Sequence, residues 1–293
     1  MGKLASWVSL IKSKNNPRKK IYQQASLYQN LLVVEQGNRR YLSFITNNGL
    51  RTQSCQFNDE KHSVLSLPYA KMALTGLLLQ PHPDRILLVG LGGGSLPMVL
   101  SKLYPNAKID IVEIDNAVKK VAEDYFHFAE TDNMKVTLAD ARVFVKRMGL
   151  RADEYDYILL DAFNDKYIPS HLMTQDFLLE VKQILADDGV LVANTFSSSP
   201  FYHHESTTYQ SVFGPFLNFK KLENSGNRVI IAKKTALPSV EQMIFEAEAI
   251  KERLHCFGVE IEKYPVMLTI EPDWDTSARI LTDQFSPVNL LKD

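Results

Sequence analysis

The sequence predicts an α/β protein, a Rossmann-like sheet-and-helix domain preceded by a small N-terminal antiparallel β domain. Three observations predict it. Residues 85–115 read as strand, glycine turn, helix and strand. Short apolar runs at 86–89, 108–113, 135–138 and 155–160 alternate with helical patterns, the signature of a parallel sheet. Residues 26–57 instead alternate polar and apolar positions around turn residues, as an antiparallel hairpin sheet does.

The glycine turn organises the chain. Ile86-Leu87-Leu88-Val89 carries no polar alternation, as expected of a strand buried on both faces. It ends in Gly90-Leu91-Gly92-Gly93-Gly94-Ser95, where missing β-carbons let the backbone turn tightly and approach a ligand. Residues 96–103 then present an apolar helical face, and 108–113 return as a second buried strand. A nucleotide or nucleoside is the usual ligand of such a turn. Glu113, about 20 residues past the glycines, is placed to accept hydrogen bonds from a ribose diol. Read as GxGxxG from Gly90, the third glycine position holds Ser95, so the dinucleotide fingerprint fails there. A plain strand-to-helix turn is the alternative, but it requires fewer glycines than this one has.

Composition sets outer bounds. At 293 residues, 45% hydrophobic and 23% charged with a net charge of -1, the chain suits one large domain or two smaller ones. No global charge argues for nucleic acid or an anionic surface. Cys55 and Cys256 are the only cysteines, which suggests free thiols in a reducing compartment. No apolar run is long enough to cross a bilayer and no leader pattern is present, so a cytoplasmic protein without membrane or nucleic-acid partners is expected. Residues 1–6 fit the loose myristoylation pattern, beside a basic cluster of Lys12, Lys14, Arg18, Lys19 and Lys20. A solvated arm over 1–25, with Trp7, Leu10 and Ile11 packing locally, is the plainer expectation.

The remaining elements follow in order. Residues 26–58 form the small β domain, with a hairpin around Gln36-Gly37-Asn38 and a second turn at Asn47-Asn48-Gly49. A catalytic domain spans 59–235. Residues 59–79 have helical spacing, 116–128 is helical, 135–138 a third strand, 143–148 a short helix, and 155–160 a fourth strand that delivers Asp161. Residues 174–185 form another helix, 190–194 a fifth strand, and 219–222 with 228–232 a closing antiparallel hairpin. A parallel sheet closed by such a hairpin is the usual plan of S-adenosylmethionine-dependent enzymes. Residues 236–293 supply a late helix over 239–257 and a tail. Ligands bind beyond the carboxyl edge of such sheets, so the glycines, Glu113, Asp140 and Asp161 converge there. As a bland alternative, Asp140 is an N-cap for the next helix.

At Tyr28-Gln29-Asn30-Leu31, Gln53, Leu67-Pro68-Tyr69, the glycine turn, Val112-Glu113-Ile114-Asp115, Ala139-Asp140-Ala141 and Leu160-Asp161 with Pro169 and Thr174, the chain resembles the spermidine/spermine synthase family of aminopropyltransferases. The likeness covers residues 26–234. It implies a β domain plus a Rossmann-like catalytic domain, often as a homodimer. It further implies decarboxylated S-adenosylmethionine or S-adenosylmethionine as co-substrate, no metal, and a small-molecule amine as acceptor. Carried over by residue, Gln29, Gln53, Gly90, Gly92, Gly93 and Ala141 look like donor contacts. Glu113 resembles the ribose acceptor, Asp140 the acceptor for the adenine amino group, Asp161 the catalytic base, and Tyr69 the aromatic that orients the amine.

Two departures qualify the resemblance. The family's GGGDG turn has its acid where Gly93 stands, and that acid pairs with the amino group of the decarboxylated donor. Its DxxDP segment reads Asp161-Ala162-Phe163-Asn164-Asp165, with Asn164 at the second acid and Asp165 one residue later. Methyl transfer from ordinary S-adenosylmethionine to a protein or small amine is therefore the alternative, and a non-catalytic nucleoside-binding protein a third. Phe163 and Tyr167 are candidates for the acceptor pocket. His203-His204-Glu205 invites a metal reading, but adjacent histidines diverge, and a helix start after Pro200 is expected instead. Ser197-Ser198-Ser199 lacks a nucleophile elbow and reads as a polar loop.

Overall fold

The computed structural model describes residues 17–47, 49–164, 167–220 and 226–285. The N-terminal arm before Pro17, Asn48 and Asp165 lie outside the described residues. Eleven strands form two sheets. The first is antiparallel, in the order β1 (Lys19–Ala25), β2 (Asn30–Gln36), β3 (Arg39–Thr46), β4 (Gly49–Phe57). Strand β1 begins inside the stretch expected to be an arm, and residues 26–29 are the turn after it. Its sequence, Lys-Lys-Ile-Tyr-Gln-Gln-Ala, shows no apolar alternation because it is an edge strand, paired only to β2 and largely exposed.

The second sheet has the order β10-β11-β9-β8-β5-β6-β7. Strands β5 (Arg85–Val89), β6 (Lys108–Glu113), β7 (Met134–Leu138) and β8 (Tyr155–Leu160) are parallel, and β9 (Leu185–Phe196) joins β8 in parallel. The predicted hairpin closes the sheet as β10 (Leu217–Lys220) and β11 (Asn227–Lys233). Side chains of β5 alternate between two cores. Ile86 and Leu88 join the layer containing α2 (Ser95–Leu103), α3 (Asn116–Tyr125) and the late helix (Val240–His255). Leu87 and Val89 face the layer of α4 (Ala141–Leu150), α5 (Gln175–Gln183) and α6 (Tyr202–Phe213). Burial on both faces is why these strands read as unbroken apolar runs.

The segment expected to be one helix over 59–79 is broken. A 3₁₀ turn at Glu60–Ser63 is followed by extended chain through Leu67, then α1 (Pro68–Ala73) and a second 3₁₀ stretch, Leu74–Leu78. Pro68 at the first helical position explains the break, since the residue before proline is held out of the helical region. Leu31, Val33, Leu42 and Phe44 of the small sheet share the core with α1 and α2. Polar ties add to this: Arg40 Nη1 donates to the Tyr125 carbonyl and Ser26 Oγ to Asp115 Oδ2, at 2.5 Å each.

Candidate active site at the strand tips

Strand register gathers the site. Val89 is level with both Val112 and Leu160, and Glu113 with Leu138, so Gly90, Glu113, Ala139 and Asp161 emerge at one edge. Leu160 is level with Ala193, which sets Asn194 beside Asp161. A cleft of about 530 Å³ opens there, roofed by the turn after β1 and by β4. Of the expected residues, Gln29, Gln53, Tyr69, Gly90, Gly92, Glu113, Asp140, Ala141 and Asp161 line it. Gly93 does not.

The glycine requirement is sharpest at Gly90. Its φ is +102°, and a β-carbon there would lie 2.3 Å from the Asp161 carbonyl oxygen. No other residue lets β5 turn while β8 ends beside it. Gly93 is buried instead under Ser54, whose Oγ accepts its N–H at 2.7 Å. A β-carbon on residue 93 would meet Ser54 Cβ at 3.0 Å and the Phe126 ring at 3.1 Å. Position 93 therefore packs against Ser54 and Phe126 and does not line the cleft itself.

Glu113 is buried, and both its oxygens hold backbone: Oε2 accepts Leu91 N–H at 3.0 Å and Oε1 accepts Asp115 N–H at 2.9 Å. Burial raises its pKa, opposed by these donors. A carboxylate has about four acceptor sites, so the cleft-lining Glu113 keeps capacity beyond these backbone donors. Asp140 caps α4, accepting from the N–H groups of Arg142 and Val143 on Oδ1, while Oδ2 meets His171 Nε2 at 2.8 Å. Burial pushes its carboxyl up, but the Val143, His171 and Arg142 contacts outweigh this and hold it below the ordinary range. The capping geometry and a cleft-facing position are therefore both present in one residue.

Among the described residues, the groups that hydrogen-bond the Asp161 carboxylate are neutral. Asn194 Nδ2 donates to its Oδ1 at 2.8 Å, and Asn194 Oδ1 accepts from Asn227 Nδ2 at 3.1 Å. The Tyr69 hydroxyl also hydrogen-bonds it. Burial drives the carboxyl up to about 7, with the Asn194 and Tyr69 donors restraining the rise. Burial and the neighbouring carboxylate in turn push the Tyr69 phenol well above its usual value. A carboxyl with its pKa near neutrality, opposite a glycine turn, has the profile of a proton acceptor.

Sequence reasoning missed Asn194, Asn227 and His171, which also line the cleft. None carries a spacing signal; the register of β8, β9 and β11 brings in Asn194 and Asn227, and a 3₁₀ turn at Ser170–Leu172 brings His171 to Asp140. Phe163 lines the cleft as expected, but Tyr167 does not; it is buried in an aromatic cluster with Phe201 and Met173. His203 and His204 start α6, as expected. His203 Nδ1 accepts from Asp275 N–H at 2.9 Å and His204 Nδ1 lies 2.7 Å from the Arg279 carbonyl, so both tie down the C-terminal segment. Both cysteines are free. Among the described residues, no helix is long and apolar enough to cross a membrane.

A parallel sheet closed by an antiparallel hairpin, with a glycine turn and carboxylates at successive strand tips, defines an α/β transferase of the S-adenosylmethionine-dependent type. Comparison with known proteins agrees. Residues 69–219 match the family model for the spermine/spermidine synthase domain. A polyamine aminopropyltransferase of Vibrio vulnificus is 53% identical over 93% of this chain and 91% of that protein. The mouse eEF1A lysine and N-terminal methyltransferase is 30% identical over 62% of this chain, but over only 29% of its own length. A solved spermidine synthase bound to a transition-state analogue shares the fold, with a TM-score of 0.65 at 22% identity over 87% of this chain and 86% of that one. The chain belongs to the spermine/spermidine synthase family.

Proposed function

We propose that this protein transfers an aminopropyl group from decarboxylated S-adenosylmethionine to an amine of a polyamine, with Asp161 as the base. The observation that carries the reading is the placement of Asp161, with Tyr69 and Asn194 on its carboxylate, in the same cleft as Glu113 and the glycine turn. The Vibrio relative's activity supports it.

In this reading Glu113 accepts the ribose hydroxyls and Asp140 the adenine amino group. Gln29, Gln53, Gly90, Gly92 and Ala141 supply the remaining donor contacts. An alkylamine with a pKa of about 10.4 is neutral only about once in 10³ molecules at pH 7, a handicap of roughly 4 to 5 kcal/mol. Asp161 binds the ammonium form and takes its proton as nitrogen attacks the carbon next to the sulfonium. The carbon–sulfur bond breaks, and the nucleoside leaves as a neutral thioether. Tyr69 and Asn194 fix the carboxylate while this happens.

One observation favours a second reading. Position 93 has no acid to pair with the donor's amino group and none to repel a carboxylate, so ordinary S-adenosylmethionine and methyl transfer to an amine remain chemically open. Mass spectrometry of products from parallel incubations with the two donors and a panel of polyamines separates the readings. An aminopropylated product from the decarboxylated donor is expected. Methylated product alone would replace the first reading by the second, and tight methylthioadenosine binding without any product would leave a nucleoside-binding protein.

A further inference from the structure

Beyond Asp161 the chain runs along the cleft through Ala162, Phe163 and Asn164. Asn164 and Tyr167 then hydrogen-bond to each other. The Asn164 N–H donates to the Tyr167 carbonyl at 2.8 Å, and the Tyr167 N–H donates to Asn164 Oδ1 at 2.9 Å. The Tyr167 ring is buried among Phe196, Phe163 and Phe201, at centroid distances of 5.7, 5.9 and 6.2 Å.

Its hydroxyl ties two segments together. It donates to Glu205 Oε2 at 3.1 Å and accepts the Phe196 N–H at 3.1 Å. Phe196 ends β9, two residues beyond the Asn194 that holds Asp161, and itself lines the cleft 5.2 Å from the Phe163 ring. One phenol thus joins the segment carrying Asp161 and Phe163 to the strand carrying Asn194.

Glu205 lies on α6 at 2% exposure, and Arg228 on β11 at 0%. Arg228 Nη1 donates to Ser206 Oγ at 2.8 Å, and its guanidinium lies 4.3 Å over the Tyr202 ring. Glu205 Oε1 and the Arg228 Nε and Nη2 have no hydrogen-bond partner. Buried charges held this loosely are poor sources of stability, and apolar replacements are often neutral or better. The Arg228 charge opposes the effect of burial on the Glu205 carboxyl, so removing either member alone is costly. Among the described residues the carboxylate hydrogen-bonds to Tyr167.

We infer that Tyr167 and Glu205, which do not line the cleft, are positioning residues that fix the Phe163–Asn164 wall against which the acceptor amine sits. The inference rests on the amine-alkylating reading above. Donor contacts at Glu113 and the glycine turn come from β5 and β6 and do not depend on this latch.

The test uses the full chain. Tyr167→Phe keeps the ring and removes the hydroxyl. It should raise KM for the amine about tenfold, the scale of one lost buried hydrogen bond. Methylthioadenosine affinity, measured by calorimetry, should stay within about twofold of wild type. Hydrogen exchange of the Phe196 amide should accelerate. Glu205→Gln retains an oxygen for Tyr167 and should stay within about threefold of wild type for the amine. Two results would overturn the inference: an unchanged amine KM despite faster exchange at Phe196, or a parallel loss of nucleoside affinity. If the wild type yields no product with any amine, the activity reading fails; amine binding to the methylthioadenosine-loaded protein, read beside exchange at Phe196, then decides the latch.

Discussion

Asn194 donates its side-chain amide to Asp161 at 2.8 Å, so a neutral group supports this cleft-lining carboxylate. Burial therefore wins, and the Asp161 carboxyl is driven up to about 7. In the proposed reaction Asp161 must be ionised to accept a proton, so kcat/KM for the amine should rise with pH through an inflection near 7. A bound cationic amine favours the carboxylate, so the matching inflection in kcat should lie lower. Asn194→Ala removes a donor to the charged form and should move the free-enzyme inflection upward. Asp161→Asn should abolish the inflection and lower kcat by about 10²- to 10⁴-fold. Steady-state profiles of the three proteins check each step.

The same shift has a consequence for stability. A carboxyl raised from 3.8 to about 7 on folding binds its proton more tightly in the folded state. Its contribution is fully present below the unfolded value and is lost as pH rises through about 7. The difference of roughly three pKa steps corresponds to a ceiling of about 4 kcal/mol, reduced because the open cleft admits water. Asp161→Asn should therefore gain most over wild type at pH 8 to 9, less at pH 5, and nothing below about pH 3. Urea unfolding at these pH values reads the sign directly.

Glu113 links binding to folding. Removing its carboxylate leaves the buried N–H groups of Leu91 and Asp115 without the acceptor they use, at about 1–3 kcal/mol for each unsatisfied group. Glu113→Ala should lower the melting temperature and weaken methylthioadenosine by at least about tenfold. Adenine, which has no ribose, should lose far less affinity. Calorimetry with the two ligands separates a ribose contact from general damage to the glycine turn.

The sequence made the parallel sheet legible because strands buried on both faces leave unbroken apolar runs, and a glycine turn leaves a composition no plain loop has. Glu113, Asp140 and Asp161 were legible as strand-end acids for the same reason. Strand β1 was not, because a polar edge strand resembles an exposed arm. Asn194 and Asn227 were hidden for another reason: their meaning comes from strand register across β8, β9 and β11, and register leaves no local mark. The packing over Gly93 was not legible because a motif position says which residue is bare, not which neighbour covers it.

That neighbour is Ser54, and its place makes the donor question testable. An aspartate at position 93 should pair with the ammonium of the decarboxylated donor and repel the carboxylate of the ordinary one. Its β-carbon, however, would press on Ser54 Cβ at 3.0 Å and Phe126 at 3.1 Å, distances that force a neighbour to give way. Gly93→Asp alone should lower the melting temperature and weaken both donors together. Ser54→Gly removes the harder obstacle while leaving the Phe126 ring a small shift to make. The double variant should recover stability relative to Gly93→Asp and favour the decarboxylated donor by at least about tenfold, or 1.4 kcal/mol, more than wild type does. Calorimetry with both donors on all four proteins measures the coupling between the two positions. A donor ratio that stays at the wild-type value in the stable double variant would mean that residue 93 never approaches the donor's tail.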